Sequence, residues 1–124
     1  NSIKLIKLGL PISYFSLFLI IYFGNNAGAF LFTIYIMTSI VISLTQPAIA
    51  LNFSKNLAGK SLTSFNVFLF SGTFFVQWGI GLIIDLCNNK GFDILSSYRI
   101  SFSLFLFLCV LSYTFFIYLN KNEN

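Results

Sequence analysis

The stretch AGAFLFTIYIMTSIVISLTQPAIAL, Ala27–Leu51, runs for 25 residues without a charged side chain. A bilayer's hydrocarbon core is about 30 Å thick and takes about 20 apolar residues to cross as a helix. At about 1.5 Å per residue this run reaches roughly 37 Å, so it crosses with tilt, bend or overhang. It also excludes a water-soluble fold for its neighbourhood, and composition extends that exclusion to the whole chain. Of the 124 residues, 57% are hydrophobic, 19% aromatic and only 8% charged, and the mean hydropathy is +0.89. A soluble domain carries about 25% charged residues. Seven Lys/Arg and three Asp/Glu are too few to solvate a globule of this length.

Working outward, three more runs approach or reach spanning length: about 8–23, 61–84 and 100–119. Together with 27–51 they predict an all-α integral membrane protein with four transmembrane helices and no soluble domain over 1–124. Helices are expected because an open strand cannot satisfy its backbone in lipid. A membrane barrel would show alternating segments of about 10 residues, which this chain lacks. Pro11 is read into the opening turn of the first span, where the missing N–H costs little. Pro47 is expected to kink the end of the second.

The basic residues set an orientation. With four spans, Lys4, Lys7, Lys55, Lys60 and Lys121 share one side, while Lys90 and Arg99 lie on the other beside Asp85 and Asp93. Five against two assigns the first side, and both termini, to the cytoplasm. Lys55 and Lys60 then act as topological anchors in a loop Asn52–Lys60. Asn52-Phe53-Ser54 matches a glycosylation pattern, but a cytoplasmic loop never meets that machinery. The chain opens on Asn1, has no cleavable leader pattern and fades into the polar NKNEN, which reads as the C-terminal piece of something longer.

Helical arithmetic at about 100° per residue sorts the polar side chains. Tyr35, Ser39, Ser43 and Gln46 fall on one face of the second span, extended by Gly28 and Ala50. Asn66, Thr73 and Gln77 share a face of the third. A buried side-chain amide costs several kcal/mol without a partner, so these faces look toward other helices or water. Interhelical hydrogen bonding and the wall of a polar pathway both fit. Gly72 and Gly79, with Gly81 near them, form a separate stripe suited to close helix packing. The fourth span is crowded with Phe and Leu, and its hydroxyls at Ser101, Ser103, Ser112 and Thr114 are expected to bond back to their own helix. Spans two and three therefore read as the working pair, with one and four as their casing.

Chemistry for catalysis is sparse. No histidine is present, which excludes a His-based metal site or a Ser-His triad within these residues. No phosphate loop or carboxylate pair appears, so no enzyme and no cofactor is expected. The net charge of +4 is accounted for by topology rather than by nucleic acid. Cys87 is placed in the outer loop and Cys109 in mid-span, too far apart in depth for a disulfide.

The run NFSKNLAGKSLTSFNVFLFSGTFFVQWGIGLIIDL, Asn52–Leu86, resembles the loop before the eleventh helix of major facilitator superfamily transporters, together with that helix. The shared pattern is Leu57–Lys60, then Thr63 and Asn66, then Gly72, Gly79, Gly81 and a terminal Asp85. The resemblance implies that the four spans correspond to helices nine to twelve of a twelve-helix secondary transporter. Such a protein moves a small solute by alternating access, in a bacterial inner membrane, with its N-terminal helices outside this chain. It implies that Tyr35, Ser39, Ser43 and Gln46, then Asn66 and Gln77, line the pathway. The alternative is a small four-helix membrane scaffold that assembles through Gly72 and Gly79 without transport.

Overall fold

The computed structural model describes residues 2–119, with side chains from Lys4 onward. Lys121 and the NKNEN tail lie outside the described residues. Among those described, regular structure is entirely helical: α1 Ser2–Phe23, α2 Ala29–Ser39, a 3-10 segment Ile40–Leu44, α3 Thr45–Leu51, α4 Lys55–Asn89 and α5 Ile94–Leu119. Among the described residues, four stretches are long and apolar enough to cross a membrane: Lys4–Asn26, Ala29–Leu51, Lys55–Asn89 and Ile94–Leu119. Four spans were expected, and four such stretches form.

Four local expectations change. Pro11 is not in an opening turn, because α1 begins at Ser2 and carries the proline in its interior. The expected loop Asn52–Lys60 shrinks to Asn52–Ser54, and Lys55 and Lys60 stand in the first turns of α4. At its other end α4 continues past Asp85 to Asn89, which takes Cys87 into the helix and out of the loop. Charge marked where lipid ends, but a helix also satisfies its backbone in the interfacial region and has no reason to stop there. The 35 residues of α4 give a rod of about 52 Å, well beyond a hydrocarbon core of about 30 Å.

The fourth change is in the second span, where the α-helical ladder gives way to a 3-10 segment over Ile40–Leu44. Two features of the sequence favour this. Ile40-Val41-Ile42 is a β-branched run, stiff against the preceding turn. Pro47 has no N–H for the Ser43 carbonyl, and its ring crowds that carbonyl. A 3-10 helix advances about 120° per residue instead of about 100°, so five such residues rotate the rest of the span by roughly 100°. The predicted stripe Tyr35–Ser39–Ser43–Gln46 is therefore broken: Tyr35 and Ser39 precede the rotation, and Ser43 and Gln46 come within or after it.

The helices meet in a closed order. α1 packs on α2 and the 3-10 segment, α3 on α4, α4 on α5, and α5 returns to α1. Burial concentrates on α1, where Ile6, Gly9, Leu10, Ser13, Ser16 and Leu17 are covered. At about 100° per residue these six make one stripe about 120° wide. Gly9 explains how close the approach is, because a Cβ built there would lie 2.9 Å from Val41 Cγ2. On α5, Ser97 and Ser101 are fully covered. The spans read as casing thus hold the buried seams, whereas α2, α3 and α4 contain no buried residue.

Candidate functional site

At the end of the bundle where α1 finishes and α5 begins, a cavity of about 860 Å³ opens between α1, α2 and α5. Its walls are apolar: Leu17, Ile20 and Ile21 from α1, Phe32 from α2, and Leu95 and Phe102 from α5. Asn25, Asp93, Tyr98, Arg99 and Tyr35 supply its polar groups. The volume lies within the range of small-molecule sites, about 300–1,000 Å³.

Local sequence fixes the mouth of this cavity. Gly24 ends α1 with φ +54°, the left-handed conformation that glycine adopts without a Cβ penalty. The turn exposes the last carbonyls of α1, and the Arg99 guanidinium donates a 3.1 Å hydrogen bond to the Tyr22 carbonyl. A cation here also faces the negative end of the α1 dipole. The positive φ is what requires glycine in this turn, and a Cβ there would also stand 2.8 Å from Arg99 Nη2 and push that guanidinium aside. Asp93 immediately precedes α5, and its Oδ2 accepts a 3.3 Å hydrogen bond from the Ser96 N–H, as an N-cap does. The Ser96 hydroxyl, and then the Ser96 backbone N–H, hold the Asp93 carboxyl below its usual range. A guanidinium and a carboxylate thus border one apolar chamber.

Of the six residues expected to line a pathway, Tyr35 alone lines this cavity. Ser39 is half-buried, and its hydroxyl donates to the Tyr35 carbonyl. Ser43 is exposed and donates to the Ile40 carbonyl at 2.7 Å. Gln46 and Asn66 are half-buried, and Gln77 is exposed. On α4, partial cover occurs at 58, 61, 62, 65 and 66, and again at 79, 80, 81, 83, 84 and 87. The intervening residues 67–78 are all exposed. Nothing in the described chain approaches a Cβ built at Gly72, Gly79 or Gly81 within 4 Å. On α5 the expected back-bonding occurs at Ser101, which donates to the Ser97 carbonyl at 2.9 Å, and at Thr114, which donates to the Leu111 carbonyl at 2.8 Å.

On the sequence, Arg99 and Asp93 read only as charges on the outer side, and nothing there sets Tyr98 beside them in a cavity. The available signal was the turn Gly24-Asn25-Asn26 at the end of an apolar run, which leaves helix carbonyls for a nearby cation. Together, fold and cavity define a four-span helical protein of membrane type, with a chamber at one end of the bundle. No protein-family model matches the chain, and no curated protein or solved structure does so either.

Proposed function

We propose that the chain is the C-terminal transmembrane portion of a secondary active transporter of the major facilitator type. It moves a small solute by alternating access rather than catalysing a reaction. The observation that carries this reading is an uncovered amide on the largely apolar middle of α4. Gln77 lies exposed within a helix of spanning length, near the end of the exposed stretch 67–78. An amide facing hydrocarbon costs several kcal/mol, so water or further helices must meet it. The N-terminal helices of a twelve-helix transporter supply both, since its two halves enclose a wet central pathway. In this reading the end carrying Lys4, Lys7, Lys55 and Lys60 faces the cytoplasm of a bacterial cell, and the cavity beside Arg99 opens on the outer face.

A scaffold without transport is the second reading, favoured by the open Gly72, Gly79 and Gly81 stripe. The coding DNA upstream of Asn1 separates the two, with eight further apolar spans expected for a transporter. The complete protein in proteoliposomes should then take up a solute by counterflow, and Gln77→Leu should lower that uptake at least about tenfold while insertion persists. A start codon within a few residues of Asn1 would sink the transporter reading.

A further inference from the structure

Pro11 raises a question that its place in the interior of α1 makes acute. In a regular helix the N–H of residue 11 would donate to the carbonyl of Lys7, four residues back, and proline has no N–H. The Tyr113 hydroxyl donates to that same Lys7 carbonyl at 2.7 Å, from α5, 106 residues away in sequence. The placement is fixed by a second contact: the Tyr113 ring stands edge-on to Tyr14, with centroids 5.9 Å apart at 82°. The ring contact aims the hydroxyl, and the hydroxyl supplies the missing donor.

We propose that Pro11 and Tyr113 form a hinge and its latch. Proline loosens α1 at the Lys7 carbonyl, and the Tyr113 hydroxyl from α5 holds the loosened turn closed. The consequence reaches the cavity. Below the hinge, Gly9 is held against Val41. Above it, Leu17, Ile20 and Ile21 are the α1 wall of the chamber, and the Tyr22 carbonyl receives Arg99. Tyr113 therefore bridges the hinge, its hydroxyl on the Lys7 carbonyl below Pro11 and its ring on Tyr14 above, while Arg99 holds the tip of α1. Releasing the hydroxyl's hold below the hinge uncouples the two segments, so the upper one swings about Pro11 and widens the chamber. The device acts whatever the cavity takes, so it stands independently of the transport reading.

Tyr113→Phe keeps the ring against Tyr14 and removes the hydroxyl alone. Pro11→Ala restores an N–H that reaches the Lys7 carbonyl within the helix. Both are made, singly and together, in the full chain with Cys87 and Cys109 replaced by serine and a reporter cysteine in place of Ile21. The protein is reconstituted in nanodiscs, and the rate of alkylation by a water-soluble maleimide is recorded. Tyr113→Phe should raise that rate roughly threefold to tenfold, the range set by single hydrogen bonds between membrane helices. In the Pro11→Ala chain the same substitution should change it less than about twofold. Isotope-edited infrared of the Lys7 carbonyl gives a second readout: its band should move to higher wavenumber in the Tyr113→Phe chain and stay put in the Pro11→Ala background. Equal increases in both backgrounds, or no increase in either, would overturn the proposal, as would an unmoved carbonyl band. Should Tyr113→Phe fail to fold, the Pro11→Ala/Tyr113→Phe chain is expected to recover folding, and failure of both would count against the latch.

Discussion

α1 and α4 are both apolar helices studded with small residues, yet they end in opposite situations. α1 carries Gly9, Ser13 and Ser16 on one buried stripe, with Gly9 close enough to Val41 that a methyl group would collide. α4 carries Gly72, Gly79 and Gly81 with open space over each. The difference teaches that small residues permit a close approach without producing one. What decides is whether another helix is delivered to that face. Short turns at Gly24–Gly28 bring α2 onto α1, whereas the middle of α4 lies between a contact toward α3 at one end and α5 at the other.

The contrast breaks most readily at the buried seams. Ser101→Leu inserts a branched chain where exposure is 0%, and overpacking there should cost about 3 kcal/mol. Detergent unfolding followed by circular dichroism would measure it, and a neutral result would mean that α5 is not packed as described. Gly24→Ala comes next: a positive φ penalises any Cβ by about 1–2 kcal/mol, and the Arg99 contact adds to it. In an Arg99→Ala background, the same unfolding measurement should show the contact part of that loss gone and the conformational part retained.

The glycines then give a difference of sign. Gly9→Ala gains helix preference of about 1 kcal/mol but must displace Val41, so it should come out destabilising by about 1 kcal/mol, with Val41→Ala restoring the loss. Gly72→Ala meets nothing, keeps the helix gain and should stabilise this chain by about 0.5–1 kcal/mol. Should the same change destabilise a complete protein, another helix covers that face there. The smallest effect concerns Asp93, which is fully exposed. Its carboxyl is held below the usual range, so its contribution is present above about pH 4, the ordinary aspartate value, and fades as pH falls through the lower folded value. The stability gap between the wild type and Asp93→Ala should close below that window, and a gap that widened in acid would contradict the capping role.

Much of this architecture is legible in the residues themselves. The run Ala27–Leu51 has no charge, and four such runs leave a backbone that only helices can satisfy in lipid. Back-bonding by Ser101 and Thr114 comes from the same local chemistry. The candidate site was less legible. A constant 100° per residue put Ser43 and Gln46 beside Tyr35, and the 3-10 turn over Ile40–Leu44 took them away. Even there the cause is written locally, in three β-branched residues ahead of a proline, although its outcome depends on how the span settles against α1.

Apolar length and the cost of an unpaired peptide group in hydrocarbon are local quantities, and they alone determined that this chain makes four long helices. Which faces those helices present to one another is not local. Arg99 reaches the Tyr22 carbonyl across 77 residues, and Tyr113 reaches that of Lys7 across 106. The Gly24 turn marks open carbonyls, but nothing in the sequence names either partner, because each pairing depends on two helices arriving at the same depth and rotation. Only the tertiary structure decided that the supposed casing holds the seams and that the glycines of α4 stand open.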